Sequence, residues 1–460
     1  MASQFFRKGL PRVGPRHLIP LSFLAAILAG TLLLLLPAAT APGRETGLVT
    51  ALFTATTSVC VTGLTVVTTA HHWSAFGQAV ILVLIQIGGL GVVAIVSLLA
   101  LLMGRRFSLA GHALLQDAFG LDTRSGVVRF LLRVVKGTLL AEGVGALLYL
   151  PFFVPAYGAR GVWIAVFTAV SAFCNAGLDL FGAESLAPWG GCAPVVLTTS
   201  ALIILGGLGF IVWFDVLGVM REGKQAGRPL RARLSRLSEH SRLVLLLTGF
   251  LLLAGAVFFW VCERGNPGTI GGRPAGAALL SAFFESVTMR TAGFSIFPQE
   301  NLTTLSSLLA CLLMFVGGSP IGTAGGIKTV TMFFFLLNAD SYIRSRPESL
   351  VFRRSVPGEV LRRAGAIVTV SAAAVLLLTA LLIALERVPA ADALFEMVSA
   401  CATVGLSRSL TPALGTGGRL AVAFGMYLGR IGPLTMAVFF ANPDRDREKI
   451  RHAPGRFFIG

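Results

Sequence analysis

The sequence has few charged residues, and this scarcity excludes most classes of soluble protein. Only 13% of its 460 residues are Asp, Glu, Lys or Arg, whereas 55% are hydrophobic. Soluble domains usually contain about 25% charged residues. No long polar stretch is present from which a soluble domain could be built. The composition therefore predicts an all-α polytopic membrane protein rather than a soluble enzyme.

Cysteine chemistry also has little support. The six cysteines form no CxxC pair and show no metal-ligand spacing. Most of them lie in apolar surroundings, so we interpret them as small packing residues rather than disulfide partners. They are Cys60, Cys174, Cys192, Cys262, Cys311 and Cys401.

Uncharged runs mark the candidate membrane spans. They cover residues 17–43, 46–104, 243–262, 301–327 and 364–385. A helix needs about 20 apolar residues to cross a bilayer. The run 46–104 is too long for one span and has a polar, Thr-rich middle, so it predicts a half-entering segment followed by a full span.

The net charge of +17 comes mainly from five basic clusters. Twenty-eight of the 38 Lys and Arg residues lie in segments 1–16, 104–142, 221–242, 344–363 and 444–460. The hydrophobic block between successive clusters is long enough for two spans each time. Eight spans with every cluster and both termini on the cytoplasmic side satisfy the positive-inside rule. The basic charge therefore needs no nucleic acid partner.

A repeat of about 114 residues divides the chain into four copies. Four short segments align on Gly63, Gly177, Gly293 and Gly405, which are 114, 116 and 112 residues apart. A phenylalanine precedes each glycine by ten positions, and a glycine-rich element follows each one: GGLG (88–91), GGLG (206–209), GGSP (317–320) and LGRIG (428–432). We place the four copies at 1–110, 111–225, 226–350 and 351–460.

Each copy is predicted to contain a span, a half-entering pore helix, a turn and a second span. The segments predicted to form these helices are about 17–38, 49–60 and 76–103; 134–155, 162–173 and 193–219; 243–263, 276–289 and 304–340; and 364–386, 391–401 and 417–442. Non-helical backbone at membrane depth is tolerated only where it is buried in protein or lines a water-filled cavity. Four glycine turns around one axis would direct backbone carbonyls inward, and such a ring can replace the water shell of a cation.

These motifs resemble those of the Trk/Ktr/HKT superfamily of potassium transporters, and in particular the bacterial KtrB-type membrane subunits. The segments SVCVTGL, SAFCNAGL, TMRTAGF and SACATVGL resemble the four filter sequences of that family, and GGSPIGTAGGIKT (317–329) resembles its intramembrane gating loop. The resemblance covers essentially the whole chain. It implies an ion filter made by the backbone carbonyls of Cys60, Val61, Thr62, Gly63, Cys174, Asn175, Ala176, Gly177, Arg290, Thr291, Ala292, Gly293, Ala402, Thr403, Val404 and Gly405.

The same resemblance implies function and partners. We expect K⁺ uptake across the inner membrane of a bacterium, K⁺ held at the filter residues, a homodimer, and a cytosolic RCK-type nucleotide-binding ring (KtrA-like). No organic cofactor is expected in this chain. Trk-type transport, Na⁺ coupling and weaker cation selectivity remain alternatives, and a non-ion solute carrier is a further one. Such carriers usually show two inverted halves, whereas this chain has four copies of one topology.

Ten Lys and Arg residues lie outside the clusters, and we place three of them within the membrane: Arg290, Lys328 and Arg430. Ionisable groups within a membrane are costly and therefore functional by default. We expect the Arg290 side chain to lie behind the filter, toward Glu285 or Glu396. The predicted gate below the filter consists of Gly317, Gly318, Gly322, Gly325, Gly326, Lys328 and Arg430.

Two enzymatic interpretations have weak support. GTAGGIKT (322–329) differs by one residue from a phosphate-binding P-loop, but it lies in apolar membrane sequence and lacks the second required glycine. His71 and His72 have no carboxylate or metal-ligand partners nearby in the sequence, so we place them in a wet outer vestibule. Asp215 and Asp392 are predicted to lie at span ends.

Overall fold

The chain folds into helices arranged as four similar units. The computed structural model describes residues 15–102, 126–227 and 229–432. Strand in these ranges is limited to one small hairpin, in which Leu350–Val351 pairs with Arg354–Ser355. The all-α polytopic fold predicted from the composition and the repeat is confirmed.

The helices follow the same order in every unit: a first span, a pore helix and a second span. In unit 1 they are Pro15–Leu34, Leu48–Cys60, and Ala75–Leu90 with Val92–Leu102. In unit 2 they are Val127–Tyr157, Arg160–Phe173, and Ala193–Leu208 with Phe210–Gln225. In unit 3 they are Glu239–Glu263, Ala275–Thr288, and Thr304–Phe315 with Thr329–Ile343. In unit 4 they are Gly358–Glu386, Ala390–Cys401 and Thr416–Ile431. Short helices at Thr69–His72 and Leu230–Leu234 lie in the connections.

The first spans of units 2, 3 and 4 are individually long and apolar enough to cross a membrane. Within the described ranges, the bent second span of unit 2 is a fourth candidate when its two halves are taken together. The pore helices are 12 to 14 residues long. At 1.5 Å per residue, helices of this length reach only partway across a bilayer. The predicted half-entering helices therefore exist in all four units.

The second spans are interrupted where the glycine-rich elements occur. In unit 1 the helix breaks at Gly91 (φ +89°), and in unit 2 it breaks at Gly209 (φ +87°), where the two halves differ in direction by 99°. In unit 4 it ends at Gly432 (φ +92°). In unit 3, residues 316–328 form a long irregular segment, here called the intramembrane loop. The long break in unit 3 falls on GGSPIGTAGGIKT (317–329), the segment that resembles a gating loop, and it divides the helix predicted over 304–340. The sharp bend in unit 2 was not predicted.

These elements need glycine because the second spans lie directly against the pore helices. A β-carbon on Gly88, Gly206 or Gly429 would collide with the carbonyl of Val59, Phe173 or Cys401, respectively. Each of those carbonyls belongs to the residue four positions before the aligned glycine of its own unit. The two glycine motifs of the repeat thus meet in space.

Two carboxylates at the outer ends of first spans hold the second spans of units 3 and 4. Glu263 accepts hydrogen bonds from the backbone N–H of Thr303 at 3.0 Å and from its hydroxyl at 2.8 Å. Glu386 accepts from the N–H groups of Gly415 at 3.0 Å and Gly418 at 2.8 Å. The first N–H groups of a helix have no partner within the helix, so these carboxylates satisfy them.

The boundaries of the four units stay predictions. The junctions near 110 and both chain ends lie outside the described residues, as does the predicted continuation of the last span to 442. The C-terminal segment Arg456–Gly460 lies there too.

The close packing of a second span on its pore helix can be tested with a matched pair of glycines on one helix. Gly429→Ala should lower the melting temperature of the detergent-solubilised protein, because the added methyl overlaps the Cys401 carbonyl; such overpacking costs about 1–3 kcal/mol. Gly425→Ala is the control, since its β-carbon would lie at an ordinary 3.4 Å from the Cys401 sulfur. That variant should keep or raise the melting temperature, because alanine favours a helix interior by about 0.5–1 kcal/mol. Equal melting temperatures for the two variants would contradict the packing.

Candidate functional site

Each pore helix ends in a turn with the same unusual backbone geometry. The residue two positions before the aligned glycine is left-handed in all four units: Val61, Asn175, Thr291 and Thr403, with φ between +51° and +66°. The aligned glycines also have positive φ, at +103° for Gly63, +65° for Gly177, +79° for Gly293 and +98° for Gly405. Glycine adopts such angles at no steric cost, which explains its presence at all four positions.

The four turns form a closed ring. A β-carbon built on any of the four glycines would come within 2.8 Å of a carbonyl oxygen in the next turn. The order is cyclic: Gly63 meets Ala176, Gly177 meets Ala292, Gly293 meets Val404, and Gly405 meets Thr62. Turns 2 and 4 therefore face each other across the ring, as do turns 1 and 3.

The carbonyl oxygens of these turns have no hydrogen-bond partner. Among the described residues, no hydrogen bond ends on the carbonyl of any of the sixteen residues 60–63, 174–177, 290–293 and 402–405. All but Gly405 are buried. More than 90% of buried backbone carbonyls in proteins are paired, so sixteen unpaired ones in one place indicate a site for a positively charged ligand.

Hydroxyl groups support two of the turns. The N–H of Gly63 donates to Thr57 Oγ1 at 2.9 Å, and the N–H of Gly405 donates to Ser399 Oγ at 3.1 Å. In turn 3 the equivalent position is Val287, and Thr288 donates instead to the Phe294 carbonyl at 2.6 Å. Four other hydroxyls in or next to the turns have no partner in the described chain; they are those of Thr62, Ser171, Thr291 and Thr403.

One side of the ring opens into a cavity of about 580 Å³. All four aligned glycines line it, together with three acidic residues: Asp179, Glu184 and Glu300. No Lys or Arg is among its described lining residues. Burial raises the pKa of Asp179 to about 6, although hydrogen bonds from Ser185 and two backbone N–H groups favour its charged form. The cavity therefore carries a negative potential next to the ring, which attracts cations.

The intramembrane loop lies on the other side of the ring. It packs into the bend of the second span of unit 2, where the N–H of Phe210 donates to the Ile321 carbonyl at 2.9 Å. The N–H groups of Ser319 and Thr323 donate to the carbonyls of Gly207 and Gly206, at 2.9 and 3.1 Å. The bend thus supplies the loop with hydrogen bonds that a straight helix would keep internal.

The loop reaches from turn 2 to turn 4. The hydroxyl of Thr323 donates to the Phe173 carbonyl at the base of turn 2, at 2.9 Å. Gly325 lies directly against Thr403 and the Ala402 carbonyl at the base of turn 4. Because these two turns face each other, the segment 323–325 crosses the inner end of the ring.

The three isolated basic residues all bind carbonyls of this loop. Arg290 donates to the Gly317 carbonyl at 3.3 Å, Lys328 to the Ala324 carbonyl at 2.6 Å, and Arg430 to the Thr323 carbonyl at 2.7 Å. Arg430 also donates to the Gly88 carbonyl of unit 1 at 2.5 Å. None of the three forms an ion pair within the described residues.

The prediction that Arg290 lies toward a carboxylate, Glu285 or Glu396, was therefore wrong. Its guanidinium bonds the Gly317 carbonyl and, at 3.2 Å, the Thr329 hydroxyl. Glu396 instead accepts hydrogen bonds from Ser407 and Thr411. Both oxygens of Glu285 have no partner in the described chain.

The other polar residues singled out in the sequence have structural partners. Asp392 pairs with Arg408 at 3.2 Å, and Asp215 accepts from the Ser238 hydroxyl at 2.7 Å. His72 contacts Thr46 at 3.0 Å. Within the described ranges, no three His, Cys, Asp or Glu residues are close enough to hold a metal.

Thr323 belongs to the site but has no distinguishing feature in the sequence. One threonine among many carries no signal that its hydroxyl would reach a backbone carbonyl 150 positions away.

A family model described as "TrkH: Cation transport protein" matches residues 22–449. The potassium/sodium uptake protein NtpJ of Enterococcus hirae is 35% identical over 430 residues, which cover 92% of each chain. The Ktr system potassium uptake protein B of Bacillus subtilis is 34% identical over 452 residues, covering 98% of this chain and 97% of that protein. The protein of the same name from Vibrio alginolyticus is 35% identical over 432 residues, covering 94% and 92%.

A solved structure has the same fold. The potassium transporter TrkH from Vibrio parahaemolyticus matches with a TM-score of 0.74 at 14% sequence identity, covering 96% of this chain and 87% of that one. At this identity the likeness speaks to the fold alone, whereas the family model covers most of the chain and the relatives cover nearly all of it. The chain is thus a membrane protein that belongs to the TrkH family of cation transport proteins, and not to a family of enzymes.

Proposed function

We propose that this protein takes up K⁺ through the ring of four turns, here called the filter. The observation that carries this proposal is the set of sixteen unpaired carbonyl oxygens around one axis. Buried carbonyls without partners are costly unless a ligand satisfies them, and a desolvated cation is the ligand that a ring of carbonyl oxygens fits. The relatives' names, which refer to potassium or potassium/sodium uptake, agree with this chemistry.

The acidic outer cavity would supply the filter with cations. Three carboxylates close to a low-dielectric ring raise the local cation concentration and favour entry from that side. Because the basic clusters assign the opposite side to the cytoplasm, this cavity faces outward, and both termini lie inside. With a bacterial inner membrane as the location, the direction of transport is uptake.

The intramembrane loop would be the gate. The segment 323–325 crosses the inner end of the filter, so an ion that leaves the filter inward meets backbone rather than water. Arg290 and Arg430 hold the loop there through its carbonyls, and Lys328 binds the Ala324 carbonyl within the loop. Arg430 joins the loop to unit 1, so releasing this one contact frees the loop from two units at once.

The assembly follows from the resemblance to the KtrB-type subunits. We propose a homodimer that binds a cytosolic RCK-type nucleotide-binding ring. Two relatives are named as protein B of a Ktr system, which is consistent with a second component. The inner ends of the second spans lie on the same side as the loop, so such a ring could act on the gate through them.

The filter can be tested with Gly177→Asp. The substitution adds a β-carbon where the backbone of turn 3 lies within 2.8 Å, and it adds a carboxylate beside the ring. Selective uptake of K⁺ and Rb⁺ over Na⁺ into proteoliposomes should be lost, at least tenfold, while the protein still purifies as a folded species. Gly191→Asp is the matched control, because its β-carbon would meet nothing within 4 Å in the same unit; it should behave as the wild type.

Two outcomes of this measurement would count against the filter. Unchanged selectivity in Gly177→Asp would show that the ring does not choose the ion. Absence of cation flux through the folded wild type, even after an RCK-type ring is added, would contradict the proposed transport itself. Measuring Na⁺ uptake in the same vesicles also tests the less selective alternative.

The gate can be tested with Arg430→Gln. This change removes the charge that holds the Thr323 and Gly88 carbonyls, so K⁺ flux should rise severalfold in proteoliposomes. Arg419→Gln is the control on the same helix, since among the described residues Arg419 donates to the Pro412 carbonyl alone, at 3.3 Å; its flux should match the wild type. Deleting residues 319–325 should also raise flux. If neither change does so in folded protein, the loop has a packing role and is not a gate.

A further inference from the structure

A single hydroxyl joins the intramembrane loop to the second filter turn. Thr323 Oγ1 donates to the Phe173 carbonyl at 2.9 Å and lies 3.4 Å from the side-chain amide of Asn175. Thr323 is fully buried, and Asn175 is 1% exposed. Phe173 is the last residue of the pore helix, and Asn175 is the left-handed residue of the filter turn.

The Asn175 side chain fixes the backbone around it. When its amide nitrogen faces the neighbouring carbonyls, it donates to Ala172, Phe173 and Ile203 at 3.2 to 3.3 Å. These contacts tie the turn to its own pore helix and to the second span of unit 2. The Phe173 carbonyl is therefore shared between an amide of the filter turn and a hydroxyl of the loop.

Turn 4 meets the loop differently. There Gly325 packs against Thr403, whose hydroxyl has no hydrogen-bond partner in the described chain. In turn 1 the equivalent residue is Val61, which contacts Gly88 of its own unit. Among the described residues, turn 2 is thus the filter turn that a loop side chain holds by a hydrogen bond.

We propose that Thr323 is a positioning residue for ion selectivity. With the loop in place, its hydroxyl holds the base of turn 2, and through Asn175 it sets where the Ala176 and Gly177 carbonyls lie. Selectivity depends on the number and field strength of such carbonyls. A change in their position therefore changes the discrimination between K⁺ and Na⁺. This inference rests on the proposed filter and gives the loop a second role beside that of a barrier.

The test compares three variants by the ratio of initial Rb⁺ to Na⁺ uptake rates in proteoliposomes. Thr323→Val keeps the shape of the side chain but loses the hydroxyl. Its ratio of Rb⁺ to Na⁺ uptake should fall about fivefold, which is the factor by which one typical hydrogen bond changes an equilibrium constant. Thr323→Ser retains the hydroxyl and should restore the wild-type ratio. Thr138→Val is the control: it makes the same substitution at a buried hydroxyl on the first span of unit 2 that has no hydrogen-bond partner among the described residues, and it should leave the ratio unchanged.

The ratio separates positioning from gating. A change in the absolute rate of Thr323→Val with the wild-type ratio retained would overturn the inference, because it would make Thr323 a part of the barrier alone. Thr323→Ala is read by the same ratio and replaces the valine variant should that one fail to fold. Loss of selectivity in Gly177→Asp but not in Thr323→Val or Thr323→Ala would leave the filter standing and reject the inference. A wild type without selectivity would instead reject the proposed function.

Discussion

The structure depends on how it satisfies backbone carbonyls that lie at membrane depth and accept no hydrogen bond within a helix. Each such carbonyl needs a hydrogen-bond donor or a cation as its partner. Neither lipid nor an apolar protein interior supplies one. The filter turns and the intramembrane loop answer this demand in different ways. The sixteen carbonyls of the four turns accept no hydrogen bond from the described residues, whereas the loop carbonyls of Gly317, Thr323 and Ala324 are bound by Arg290, Arg430 and Lys328. One set is thereby open to a mobile cation, and the other is held by cations that belong to the chain.

Glycine makes this division possible in a small space. Four turns can meet around one axis only if none carries a side chain at the point of closest approach, and positive φ at the same residues adds a second requirement for glycine. Behind the turns, Gly88, Gly206 and Gly429 bring the second spans against the bases of the pore helices. The second spans therefore fix the pore helices from the side away from the axis. The aligned glycines after each pore helix leave the side toward the axis free of side chains at the point of closest approach. Seven of the 53 glycines of the sequence form these two layers.

What the sequence predicted and what it missed follow from this geometry. The four turns, the pore helices and the break in unit 3 were predictable because left-handed angles and close approach demand glycine, which leaves a pattern in the residue types. The partner of Arg290 was not predictable, because every residue has a backbone carbonyl and a contact with one leaves no pattern in the residue types. A carboxylate was expected instead, at Glu285 or Glu396. The bend at Gly209 and the contact made by Thr323 were also missed. Both depend on how the loop of unit 3 packs against unit 2, and this packing leaves no pattern in the residue types.

The third unit departs from the fourfold symmetry of the other units. The departure lies in the intramembrane loop, on the side of the ring opposite the acidic cavity. In the proposed function the four similar turns bind the ion with equivalent carbonyls, so each unit contributes alike. Among the described residues, only unit 3 supplies a segment that reaches from one turn to the facing one. Unit 3 has the long loop, Arg290 behind its turn, and Val287 where the other units have Ser or Thr. The Arg290 guanidinium binds the Gly317 carbonyl at the start of the loop, so the base of the third filter turn is tied to the loop by charge, while the second is tied to it by the Thr323 hydroxyl. In the proposed gating mechanism, movement of the loop therefore breaks its contacts with two adjacent turns, and the proposal links conduction to selectivity.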